Sequence, residues 1–252
     1  MTSADSGNAV IEAAIAKLKE IDNKIRQFFD RVNDILSWVP DILSHMIEPI
    51  KQQIDAVDKR YLEFQNKVNE FWHNKGNTDK LRLFATQWAE KVGNPYGEAA
   101  GNVALEKLQT NTEWHGRAAE TYKTTVPAQV NGLNAMKDIG LQIRNSLTDL
   151  ANGIDSFWVT VNGILIGLAI GIGATIASAL TVVGLPAAVA LILTTIGAGV
   201  AGIFQAIGAV QTLTNLITTQ QMAIDDKVRN LGKNWAMTQF DKMTHPGDWR
   251  TG

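Results

Sequence analysis

Between Asp155 and Asp225 lie 69 consecutive residues with no charged side chain and no histidine, in a chain otherwise rich in Lys, Glu and Asp. The first apolar stretch, residues 157–183, exceeds the roughly 20 residues a helix needs to cross the hydrocarbon of a bilayer. Gly184, Leu185 and Pro186 then predict a turn, because Gly tolerates positive φ and Pro suits the start of a helix. The second stretch, from residue 187 to about 204, is nearly as apolar, so the run reads as a helical hairpin with an uncharged tip. A charge at mid-bilayer costs at least about 2.5–3.5 kcal/mol, and no charge would have to cross here. The flanking charges Asp149, Asp155, Asp225, Asp226, Lys227 and Arg229 all stay at the base. Two readings fit. The hairpin enters a membrane from one side and returns, or it is the centre of a soluble bundle shielded by amphipathic neighbours. Its polar residues, among them Thr160, Asn162, Thr175 and Thr194, suit either, since hydroxyls can bond to their own helix backbone.

The remainder of the chain narrows the function classes. Its 252 residues allow one large helical domain or two smaller ones, and 19% charged residues argue against a conventional multi-pass membrane protein. A net charge of −2 without a basic cluster gives no electrostatic reason to bind nucleic acid. With no Cys there is no disulfide, thiol nucleophile or Cys-based metal site. His45, His73, His115 and His245 are isolated, so no metal ligand set is expected. Gly171 and Gly173 sit in an apolar helix, without the strand–turn–helix setting of a dinucleotide site. No catalytic residue and no cofactor is expected, and the chain reads as non-enzymatic. The opening residues lack a basic region ahead of an apolar core, so secretion or surface display is expected without a conventional signal peptide.

An all-α fold is expected: an elongated bundle of long antiparallel helices around the hydrophobic hairpin. Ile11, Ile15, Leu18, Ile21 or Ile25, Phe28, Val32, Ile35 and Val39 recur at steps of three and four, as in a coiled-coil-like seam. Trp38 to Asp41 interrupts it. A second seam follows at Leu43, Met46 or Ile47, Ile50, Ile54, Val57, Tyr61, Phe64, Val68 and Phe71, with Pro49 predicted to kink that helix or mark its start. Thr78 is a plausible N-cap, residues 93–97 read as a second break, and residues 99–108 return to helical periodicity. Helix resumes after residue 116 to about 154, with a bend expected at Pro127, and the second hairpin arm continues as a more polar helix from about 205 to 231. The expected segments are 1–76, an N-terminal helical hairpin; 77–154, a helix–turn–helix; 155–207, the hydrophobic hairpin; and 208–252, a C-terminal helix and loose tail.

Trp114, Gly116, Ala118, Ala119 and Tyr122 carry the most specific short pattern. They resemble the W-x-G-x-A-A-x-x-[FY] pattern of the WXG family, the small helical-hairpin proteins exported by type VII secretion systems. The resemblance covers roughly residues 79–154 and implies that Trp114 and Gly116 lie in a turn between two antiparallel helices. Gly lets the backbone turn and approach, Trp fills the crossing, and the Ala pair keeps the second helix close. The family's export signal, Y-x-x-x-[DE], is missing: Tyr61, Tyr96 and Tyr122 are followed four residues on by Gln65, Ala100 and Val126. In layout alone, long amphipathic helices beside an apolar hairpin are similar to all-α pore-forming toxins of the cytolysin A and haemolysin BL type.

Within the hairpin, Gly163, Gly167 and Gly171 repeat every four residues, and Gly199 and Gly202 lie on the returning arm. Small residues so spaced predict close helix packing, in a membrane or in a soluble core. Trp158 at the base is expected as an interface anchor or a core aromatic. The partners expected are a lipid membrane and either further copies of the chain or a helical secretion partner. One function is membrane insertion or permeabilisation by a hairpin that is kept soluble until release. The other is a soluble structural or secretion-adaptor scaffold with a permanently buried hairpin.

Overall fold

The computed structural model describes residues 6–37, 44–72, 75–178 and 184–234, and among them there is no β-strand. The helices are α1 (Ser6–Ser37), α2 (Ser44–Trp72), α3 (Thr78–Trp88), α4 (Asn94–Asn102), α5 (Thr110–Glu113), α6 (Arg117–Ser178) and α7 (Leu185–Asn234). The all-α class read from the periodicity is the class the chain adopts. The interruption at Trp38–Asp41, the seam positions Val39 and Leu43, and the side chains of Met46, Ile47 and Phe71 lie outside the described residues. Pro49 does not start α2, which begins at Ser44. As the sixth residue it stands past the first-turn donors that lack helical partners, so its missing N–H removes one bond to the carbonyl four residues back.

The chain divides into two compact units, and α6 and α7 pass from one into the other. The first comprises Met1–Asp79 and Asn152–Leu213. Its core joins four helical segments. Ile21, Ile25, Phe28 and Val32 of α1 and Val57, Phe64 and Val68 of α2 are buried with Leu165, Leu168 and Ile172 of α6 and Ile192, Ile196 and Ile203 of α7. The two sequence seams are therefore the inner faces of α1 and α2. Those two helices run antiparallel and share a polar clasp: the Tyr61 hydroxyl donates to Asp22 Oδ1, and Gln65 Nε2 donates to the same oxygen at 2.9 Å. Burial, helped by the Asp22 carboxylate, holds the Tyr61 phenol well above its usual range.

The second unit comprises Lys80–Ala151 and Thr214–Gly252. The break expected at residues 93–97 is absent. A single π-type turn over Ala89–Gly93 carries α3 into α4, closed by the Asn94 N–H on the Ala89 carbonyl. Pro95 follows at once, and because the chain is helical from α3 into α4, the wider turn is what accommodates its missing N–H. The helix expected over 99–108 stops at Asn102, after Gly97 and Gly101 have weakened it, and a 3₁₀ turn at Leu105–Lys107 follows. The α3–α4 segment runs antiparallel to α6. A Cβ on Gly93 would meet Leu141 at 2.9 Å, one on Gly97 would meet Lys137 at 3.0 Å, and one on Gly140 would lie 2.9 Å from the Gly93 nitrogen.

This last contact is backbone against backbone and has no side chain that can yield. Gly140→Ala should destabilise the protein by about 1–3 kcal/mol, as overpacking does. Gly167→Ala faces open space on an α-helix and should add up to about 1 kcal/mol through helix propensity. Urea unfolding of the two full-length variants checks the opposite signs.

Candidate functional site

The two apolar arms form an antiparallel pair: Cβ atoms added at Gly171, Gly199 and Gly202 would meet Thr195 (2.7 Å), Leu168 (2.7 Å) and Ile164 (3.1 Å). Lower down, a Cβ on Gly153 would collide with the Leu213 side chain. Close approach of the arms thus uses Gly171, Gly199 and Gly202. Gly163 and Gly167 take no part in the packing of a core within this chain, since they are exposed and a Cβ there would meet nothing within 4 Å. The reason is geometric. With 3.6 residues per turn, a row repeating every four residues rotates about 40° at each step, and so winds off the contact line.

Each arm has one side in the core and one side open. On α6 the open side carries Val159, Gly163, Ile166, Gly167, Ile170, Ala174 and Ala177. On α7 it carries Pro186, Ala187, Ala190, Leu191, Ala198, Ala201 and Phe204. Ile170 is 68% exposed, Val159 59% and Leu191 51%, far from the burial expected of such residues in a sealed core. Both α6 and α7 are long and apolar enough to cross a membrane, and only 39% of the most apolar window of each is buried. Residues 156–177 and 186–208 rise about 33 Å each as helix, close to the roughly 30 Å of bilayer hydrocarbon. Four threonine hydroxyls on the arms are satisfied within their own helices: Thr160 donates to the Ser156 carbonyl, Thr175 to Gly171, Thr194 to Ala190 and Thr195 to Leu191.

Two hairpin residues are placed more deeply than their position in the sequence suggests. Leu185 begins α7 and is fully buried, with the Ala188 N–H bonded to the Gly184 carbonyl just before it; Pro186 is the exposed residue of this turn. Residues 179–183, the rest of the tip, lie outside the described residues. Trp158 is 3% exposed, packs edge-on against Phe157 and donates its indole N–H to the Lys75 carbonyl at 2.9 Å. It is a core aromatic in this structure, and periodicity alone gave no sign of its backbone partner 83 residues away.

The second candidate feature is the Trp–Gly turn that opens α6. Gly116 has φ +103°, a conformation disfavoured for L side chains, directly before the first residue of the helix. Ala119 is fully buried, Ala118 is half-buried, and Trp114 and Tyr122 meet with ring centroids 5.6 Å apart. Trp114 is half-buried rather than enclosed, and His115 is exposed. Among the described residues no group of three or more His, Asp or Glu forms a metal-binding cluster; His45, His73 and His245 have no described side chain.

No protein-family model, curated protein or solved structure matches this chain. The Trp–Gly turn therefore has to be tested on the chain itself. Gly116→Ala should cost on the order of 1–3 kcal/mol, the penalty of holding a side chain at that φ. Trp114→Ala should cost about 2 kcal/mol, below the roughly 3–5 kcal/mol of a fully buried aromatic. A double-mutant cycle with Tyr122→Ala should return a coupling of about 0.5–1.5 kcal/mol. A coupling of zero would remove Tyr122 from the motif.

Proposed function

We propose that the protein is a non-enzymatic, WXG-like secreted or surface-directed protein of the type VII kind, whose apolar hairpin inserts into or permeabilises lipid membranes. The observation that carries the reading is the pair of open, uncharged strips on α6 and α7, long enough for a bilayer and flanked in sequence by charge only at the base of the hairpin. In water the opposite side of the hairpin is satisfied by α1 and α2, so the membrane form gains lipid contacts by releasing protein contacts. The antiparallel α3–α4 and α6 segments flanking the Trp114–Gly116 turn support the family likeness. With no export signal of the family's own form in the chain, a helical secretion partner supplies it.

A second reading is favoured by a different observation. Leu165, Ile172, Leu185 and Ile192 are completely buried in a core shared with α1 and α2, as in a soluble scaffold or secretion adaptor whose hairpin never meets lipid.

Ile170→Asp and Ala187→Asp separate the two. Both sites are exposed, so stability should change by no more than about 0.5 kcal/mol, unlike a charge placed at Leu185. Membrane entry would then require burying a carboxylate at a cost of at least about 2.5 kcal/mol. Vesicle flotation and dye leakage should fall well over tenfold in each variant. Equal flotation of wild type and both variants, or no flotation by any of them, would leave the scaffold reading in possession.

A further inference from the structure

We infer that α1 and α2 form one lid on the apolar hairpin, hinged at Gly76 and latched where the Trp158 indole N–H holds the Lys75 carbonyl. The inference deepens the membrane reading, on which the purpose of the lid rests; the opening itself is a property of the protein in water.

The argument begins with connectivity. Within this chain, α1 and α2 are joined to the hairpin and to all that follows through the single stretch between Trp72 and Thr78. Gly76 lies in that stretch at φ +77°, a backbone state that glycine adopts at little cost. Its neighbours are two α6 residues one turn apart. Ile154 lies within 3.1 Å of where a Gly76 Cβ would stand, and Trp158 bonds Lys75. The base of the hairpin thus grips the joint about which α1 and α2 would swing.

The seams differ in their polar contacts. Between α1 and α2 the Asp22 carboxylate accepts from both Tyr61 and Gln65, and bonds to an ionised acceptor are the stronger class. Towards the hairpin the contacts include ones of another kind. Lys24 ends against Gly173, Lys67 stands 5.8 Å above the half-exposed Phe204 ring, and the Trp158–Lys75 bond joins two neutral groups. In the proposed opening the lid parts from the hairpin at the latch, and the Asp22 clasp keeps α1 paired with α2.

The chain has no Cys, so single thiols can report each seam in the full-length protein. Ala169 is 2% exposed and lies one helical turn from Gly173, on the side that meets Lys24. Val57 is fully buried one turn from Tyr61, on the side that meets Asp22. Ala169→Cys and Val57→Cys are each made with and without Trp158→Phe, which removes the indole N–H and keeps an aromatic ring. Maleimide labelling is then timed in water without lipid. Loss of one net hydrogen bond should speed labelling at position 169 by about five- to tenfold and leave position 57 unchanged. Equal acceleration at both positions would mean general loosening, and no acceleration at 169 would mean Trp158 is no latch; either overturns the lid. Leakage from phosphatidylcholine vesicles, with and without phosphatidylglycerol, is measured on the same Trp158→Phe protein. Faster labelling at 169 with no leakage from either vesicle type keeps the lid and removes the membrane reading.

Discussion

An apolar helix pair that bears no charge for 69 residues must find cover, and the packing of α1 and α2 on one side of it organises the first compact unit. Each large aliphatic side chain buried there contributes about 1.5–3 kcal/mol, and the shared core draws on all four helical segments. The placement of Trp158, Leu185 and the Asp22–Tyr61–Gln65 clasp follows from that arrangement. Trp158 and Leu185 are held because the core closes over them, and the clasp because α1 and α2 must stay in register while they cover the same surface.

The cover is one-sided. A soluble core would ordinarily bury Ile170 and Leu191, yet both stay more than half exposed. The same helices bury Leu165 and Ile192 completely. In the proposed function, a helix pair with one apolar side covered by protein and the other open exchanges the first cover for hydrocarbon while its described threonines keep their bonds. Its threonine hydroxyls are bonded within their own helices, so they need neither water nor protein to satisfy them. The proposed function follows from this economy of polar groups rather than from any single side chain.

The second unit is built on a different principle. Where α3 and α4 meet α6, small residues set the distance: Gly93, Gly140 and Ala100 are buried, and Ala119 packs close to the turn. The π-type turn is the local cost of placing Pro95 in an otherwise continuous helix. The outer side of α3 leaves Leu83, Phe84 and Trp88 exposed.

The helical class, the two N-terminal seams and the returning hairpin were legible in the sequence, because 3.6-residue periodicity and runs of uncharged residues are local properties. So was the need for glycine at position 116, where the chain must turn. Local patterns could not place residues whose roles depend on distant neighbours. Gly163 and Gly167 share a sequence row with Gly171, but only Gly171 meets the other arm, since the row's rotation relative to a partner helix is fixed by packing. Leu185 sits at a turn in sequence and in a core in space. The break expected at 93–97 is continuous helix, entered through the π-type turn at Ala89–Gly93. Sequence alone determined the helical class and the long helices; the tertiary structure decided which side of each is covered, because burial is a property of surfaces brought together and not of the residues that carry them.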